Sequence, residues 1–155
     1  MLLPLFKWFQ ESAVTAAITQ STWLVSVIEL LHLLGLTMLV GSVVVVSLRM
    51  FGLAMTRRPV SEVAGDLWRW TLYGLTMQVT SGVMLFMSEA VRWYHSGPFL
   101  VKMTLLLLAL LFHFTIYRRV TRRNDLRPVV YRSTGALALT LWFSVGLAGR
   151  AITNL

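Results

Sequence analysis

Two histidines within apolar stretches, His32 and His113, are the side chains best suited to chemistry in this sequence. The chain has no cysteine, which excludes thiolate zinc sites, Cys-ligated iron–sulfur clusters and covalently attached haem. Two imidazoles from different helices can hold a non-covalent b-type haem. The pattern therefore predicts haem b, with His32 and His113 as axial metal ligands. His95 lies in a predicted loop and is a poorer ligand.

Four charged residues beside or within the apolar stretches form a second group. Glu29 precedes His32 by three residues, so the two lie on one side of a helix. An unpaired carboxylate in hydrocarbon costs several kcal/mol, and we therefore expect Glu29 to pair with Lys102 or Arg150. The cations Lys102, Arg150 and Arg49 are suited to neutralise haem propionates. We predict a polar cluster in the protein interior that binds the cofactor, formed by Glu29, His32, Lys102, His113 and Arg150.

A purely structural role accounts for the same residues without a cofactor. Histidine in an apolar helix can serve as a hydrogen-bonded packing residue, and the polar cluster then only holds helices together. Copper is a third interpretation, because Met84 and Met87 are spaced i, i+3 and thioether with imidazole suits Cu(I). No catalytic triad, phosphate loop or nucleic-acid module is present in the sequence. Enzymatic activity is thus undecided, and a chain that is not an enzyme on its own is favoured.

The composition predicts that these residues lie in a membrane. Of 155 residues, 57% are apolar and 13% charged, and the mean hydropathy is +0.72. A chain with this composition is too apolar to be a soluble domain of this size. We predict one all-α integral-membrane domain over residues 1–155, a bundle of four transmembrane helices. The predicted elements are an interfacial helix at 1–21 and spans at about 23–48, 70–88, 99–117 and 133–151.

The first span shows which of its faces meets the other helices. Small, polar and apolar residues alternate in steps of three and four, the seam of a left-handed bundle. His32 falls on this seam. At about 1.5 Å per residue, His32 lies about 13 Å and His113 about 21 Å below the outer ends of their helices. The predicted ligands are thus offset by about 8 Å, a difference that helix tilt and boundary errors could absorb.

Basic residues orient the predicted bundle. Ten of the 14 lysines and arginines flank the first and third connections, and only four lie on the other side. The positive-inside rule then places both termini on the non-cytoplasmic side of a bacterial inner membrane. The net charge of +8 comes from basic residues that flank the apolar stretches. This placement indicates that they set the membrane topology and that the Arg118–Arg132 loop contacts anionic lipids, rather than that the protein binds nucleic acid. Other membrane subunits or a second copy of the chain are further partners consistent with this pattern.

Motifs spread over nearly the whole chain resemble an uncharacterised family of small four-span bacterial membrane proteins. The resemblance implies a fold and a set of positions, but no activity. Ser47 departs from the pattern, in which an acidic residue would precede Leu48-Arg49. The bundle is also loosely similar to cytochrome b561-like and copper-resistance membrane proteins. The motifs are Glu29-x-x-His32-x-x-Gly35, Leu48-Arg49-x-x-Gly52, Ser81-Gly82, Pro98-Phe99-x-x-Lys102-Met103, Phe112-His113, Leu141-Trp142 and Ala148-Gly149-Arg150.

From the sequence we therefore expect a membrane haem-b electron-transfer subunit. The alternative is a non-catalytic accessory or assembly subunit of a membrane complex, whose polar cluster is structural. A copper-binding membrane protein is the third possibility considered.

Overall fold

A computed structural model describes residues 13–21, 23–88 and 97–153, and every regular element in these ranges is helical. The predicted all-α class is confirmed for this part of the chain. The first half of the predicted interfacial helix, His95 and the last two residues lie outside the described ranges. The helices are α1 (Ala13–Gln20), α2 (Leu24–Phe51), α3 (Val60–Ser88), α4 (Gly97–Phe112), α5 (Arg118–Thr121) and α6 (Pro128–Thr153), with a π-helix at His113–Tyr117 between α4 and α5.

Glycine and proline set the helix boundaries near the arginine-rich connections. α2 ends at Gly52, whose φ of 77° is left-handed and whose N–H bonds to the carbonyl of Arg49. Glycine adopts this conformation without steric cost, which makes it the usual residue after a helix. Pro59 immediately precedes α3, and Pro128 is the first residue of α6, where its missing N–H costs no hydrogen bond.

The helices α2 and α3 form a closely packed antiparallel pair. A Cβ atom added to Gly74 would lie 2.6 Å from the backbone nitrogen of Leu39 and 2.8 Å from the carbonyl oxygen of Gly35. The two backbones therefore touch at this crossing, as small residues permit in membrane helix pairs. Of the two interpretations of Gly35, close helix contact or room for a flat cofactor, the structure has close contact.

An apolar core fills the space between α2, α4 and α6. Leu39, Val43, Ala109, Ala138 and Trp142 are each no more than 1% exposed. The antiparallel arrangement continues here, with Ser47 of α2 facing Gly135 of α6 and His113 facing Trp142. These contacts unite the four long helices, α2, α3, α4 with its extension, and α6, in one bundle.

Two of the four long helices are long and apolar enough to cross a membrane, Leu24–Phe51 and Gly97–Thr121. Within the described residues α3 and α6 do not meet the same criterion of length and apolarity. Only 33% and 17% of the apolar windows in the two candidate spans are buried. This low burial is unlike that of a core helix in a soluble protein, which is mostly buried.

Candidate functional site

His32 is held by two side chains of α3. Its Nε2 lies 2.9 Å from the amide nitrogen of Gln78, and its Nδ1 lies 2.9 Å from Oγ of Ser81. An amide nitrogen only donates, so Nε2 accepts and Nδ1 carries the proton that is donated to Ser81. Ser81 in turn donates to the carbonyl oxygen of Met77 at 2.5 Å. Both ring nitrogens of His32 are therefore occupied by protein groups.

α3 also provides the surface on which this imidazole rests. A Cβ atom added to Gly82 would lie 3.2 Å from Cε1 of His32, so the ring packs directly against the backbone at this position. Gln78, Ser81 and Gly82 thus define the position and the orientation of His32. The sequence placed Gln78 and Ser81 on one face of the second span, but it carried no signal that pairs them with His32.

The other predicted residues of the outer half of the bundle are only partly gathered around His32. Lys102 is half-buried, and its Nζ would lie 3.5 Å from a Cβ added to Gly149. Glu29 and Arg150 are exposed. The structure therefore does not place these two residues in the protein interior, where the cluster was predicted.

His113 occupies a different environment, a box of aromatic rings. It stacks on Tyr117 with ring centroids 4.8 Å apart, and lies parallel to the Trp68 ring at 6.3 Å. Phe114 and Trp142 meet it edge to face at 5.5 and 5.9 Å. His113 is only 1% exposed. The residues of this box were not predicted from the sequence, apart from the His113 and Trp142 positions themselves.

Several polar atoms in the aromatic box have no hydrogen-bond partner among the described residues. Both ring nitrogens of His113 and Nε1 of Trp142 are in this state, as is Nε of Arg118. The Arg118 guanidinium lies 4.3 Å from the Trp68 ring centroid, which provides a cation–π contact. Buried polar groups are usually hydrogen-bonded, so this concentration distinguishes the box from the site at His32, where both imidazole nitrogens have partners and only Oε1 of Gln78 lacks one among the described residues.

The structure does not bring His32 and His113 together. His32 bonds to Ser81 and His113 stacks on Trp68, and these α3 residues are separated by about 20 Å along the helix at 1.5 Å per residue. One iron atom binds two imidazoles directly, at bond lengths near 2 Å, as metal–nitrogen bonds generally are. The paired ligation expected from the sequence is therefore incompatible with this arrangement. In the described residues, no group of three or more His, Asp or Glu side chains could hold a metal ion.

The arginine-rich end of the bundle is the third polar region. Arg58 donates to Glu62 at 2.6 Å and to Asp66 at 2.7 Å, and the hydrogen bond to Glu62 is the main reason that the pKa of Arg58 is raised. The backbone carbonyl of Arg58 accepts a hydrogen bond from Nε of Arg49 at 2.5 Å. Arg49 is thus bound to the first connection, far from His32.

A family model matches residues 5–154 of this sequence and is described as a family of unknown function. The chain belongs to the DUF6644 family. The expected membership of an uncharacterised family is confirmed, whereas a bacterial origin and the looser similarities remain predictions. No curated protein and no solved structure matches this DUF6644 chain. Inferences about its function therefore rest on the geometry of its own residues.

Proposed function

We propose that this protein is a four-span integral membrane subunit with its arginine-rich end in the cytoplasm and both termini outside, in a bacterial inner membrane. α2 and α4 supply the apolar spans, and their low burial supports contact with lipid. α3 and α6 are long enough to cross beside them, since both exceed the roughly 20 residues that a span needs. The arginine distribution supports the orientation.

The role we propose is that of a non-catalytic accessory or assembly subunit. The observation that carries this proposal is the occupation of both His32 ring nitrogens by Ser81 and Gln78. A histidine bonded in this way holds two helices in register and offers no nitrogen to a metal or a substrate. The predicted cofactor ligand is thereby explained as an interhelical contact.

A partner subunit is supported by the exposed face of α2 around Glu29. Leu30 is 66% and Leu33 58% exposed, and Glu29 has no ion pair or hydrogen bond among the described residues. An isolated carboxylate surrounded by leucines is costly in hydrocarbon. Coverage of this face by a subunit that presents a cation removes the cost. Glu29 thus becomes a contact residue rather than part of an interior site.

Reversing the charge of Glu29 should release the protein from its complex. We expect the wild-type chain to remain in alkali-washed membranes and to migrate on a native gel above the position of the free 17.5 kDa chain. Glu29→Lys should move the band to the free position because it would face the partner's cation, whereas Glu29→Gln should cause partial release. The band mass tells a second copy of this chain from another subunit.

Thr104→Lys provides the control, because Thr104 is exposed on α4 and the variant places a lysine on another face of the bundle. It should migrate like the wild type. A wild-type chain that runs alone, or equal release by both lysine variants, would refute the role of the Glu29 face.

A b-type haem subunit is our second proposal, and His113 is the observation that favours it. Both of its ring nitrogens are unpartnered among the described residues. The π-helix that contains it also fits, since such turns often occur at functional sites. A haem here would use His113 without His32, and Trp68 or Trp142 would have to move to admit it. Bound haem would supply one-electron transfer, and Arg118 could neutralise a propionate.

An absorption spectrum separates the two proposals. For an accessory subunit we expect the protein purified after haemin supplementation to show no Soret band, because the His113 box is filled by aromatic rings. A Soret band that persists in His32→Ala and disappears in His113→Ala would establish the haem proposal instead. Bands that depend on both histidines would contradict the separation of about 20 Å described above.

A further inference from the structure

A cleft of about 380 Å³ opens at the arginine-rich end of the bundle. Three parts of the chain contribute to it: the end of α2, the start of α3, and the connection that leads into α6. Arg49 and Arg132 bring positive charge to its lining, and Met50, Phe51 and Leu126 bring apolar surface. The cleft is thus both cationic and apolar.

Two acidic residues at the start of α3, Glu62 and Asp66, are engaged away from this cleft. The ion pairs of the described residues join Glu62 and Asp66 to Arg58, which does not line the cleft. Arg49 donates through Nε to the carbonyl of Arg58, a contact that orients its guanidinium and leaves the terminal nitrogens available. Such preorganised guanidinium groups are well suited to bind phosphate oxygens.

The cleft walls are also tied together by side chains. Asn124 in the last connection donates to Oγ of Ser61 at 2.8 Å, and Tyr131 of α6 donates to the carbonyl of Arg123 at 2.6 Å. The connection is therefore fastened both to α3 and to α6. Arg49 and Arg132, which lie on different helices, thus line one opening.

We propose that this cleft binds the phosphate headgroup of an anionic phospholipid, with Arg49 and Arg132 as the phosphate ligands. The inference rests on the proposed membrane orientation, which places the cleft at the cytoplasmic headgroup level. Basic pockets between membrane helices on this side are suited to such lipids. The apolar lining lets the glycerol and upper acyl chains remain in contact with protein. The proposal thus replaces a general attraction between the Arg118–Arg132 loop and anionic lipids with binding at one defined site.

A second basic surface offers a matched control. Arg119 and Arg122 line a groove along α5 and the turn after it, and all residues of this groove come from one stretch of chain. Removing two charges there changes the net charge of the protein as much as removing Arg49 and Arg132. It leaves the cleft intact.

The test is lipid retention by the full chain in phosphatidylcholine nanodiscs that contain phosphatidylglycerol. Native mass spectrometry after release should show one retained phosphatidylglycerol. Arg49→Gln with Arg132→Gln should lower its affinity about twenty-five-fold, the product of roughly fivefold per arginine. Arg119→Gln with Arg122→Gln should lower it less than about threefold. Equal losses of affinity in the two double variants would show that the overall positive charge, and not the cleft, retains the lipid. That result would refute the site.

Inorganic phosphate tells a lipid site from a small-anion site. We expect phosphate at millimolar levels to leave the retained lipid in place, and its displacement would assign the cleft to free phosphate. Arg132→Gln alone is a milder variant for use if the double variant fails to fold, and it should lower affinity about fivefold. A protein absent from alkali-washed membranes would refute the proposed function. A membrane-integral protein without selective retention would refute only this site.

Discussion

Gly74→Ala is expected to lower the free energy of unfolding by about 3 kcal/mol, near the upper end of the usual cost of overpacking. The added methyl group would lie 2.6 Å from the Leu39 nitrogen, and the atoms it meets are backbone atoms that cannot rotate away. α2 and α3 must therefore separate. Their separation also stretches the hydrogen bonds of His32 to Ser81 and Gln78. Unfolding by sodium dodecyl sulfate in mixed micelles, followed by circular dichroism, measures the change.

Gly41→Ala is the control for this substitution. Gly41 belongs to the same helix pair, but a Cβ added there meets nothing within 4 Å. Alanine should be neutral or stabilise α2 by up to about 1 kcal/mol, because glycine is unfavourable inside a helix. Similar stabilities for the Gly74 and Gly41 variants would show that the helices are not in contact at Gly74.

Trp142→Ala is expected to destabilise the protein by a similar amount, about 3 kcal/mol, through the cavity that it leaves. Trp142 is 1% exposed and is the largest of the fully buried side chains in the described residues. In a bilayer the unfolded helix keeps its apolar surroundings, so the loss comes from packing rather than from transfer out of water. The same detergent titration measures it, with near-ultraviolet circular dichroism reporting the aromatic box.

Two further variants isolate the cavity as the cause. Phe143→Ala removes a neighbouring aromatic ring that is 52% exposed, and it should cost less than about 1 kcal/mol. Trp142→Phe fills most of the space and removes an N–H that is unpartnered among the described residues, so it should also be mild. A Trp142→Phe variant as unstable as Trp142→Ala would point instead to a hydrogen bond made by the indole.

Periodicity predicted which faces of the helices are buried. Ile28, Gly35, Leu39, Ser42 and Val46 follow the seam read from the sequence, and each is buried. Periodicity could not predict that Glu29 is exposed, because a residue next to the seam is covered only if a neighbouring helix extends that far. The pairing of α2 with α3 could not be predicted either, because no local feature of the sequence specifies that His32 lies opposite Ser81.

The depth of the two histidines shows a second limit of sequence reasoning. Counting from separate helix ends gave an axial offset of about 8 Å, whereas their contacts on α3 differ by about 20 Å. The count assumed that all helices start at one level. α4 begins at Gly97 instead of Phe99, which accounts for about 3 Å, and stagger between the helices accounts for the rest. Only a common reference, here α3, reveals such stagger.

The contact between α2 and α3 also bears on how the chain enters a membrane. α3 is too polar to pass the hydropathy test that α2 passes, and its Gln78 and Ser81 bond to His32 of α2. A helix whose polar side chains bond to the preceding helix partitions into the bilayer more favourably together with that helix, as a hairpin, than alone. In the four-span membrane protein proposed above, α2 would therefore remain at the translocon during synthesis until α3 emerged, and the two would leave it together. The glycine crossing then belongs to the first step of biogenesis, before α4 and α6 have been made.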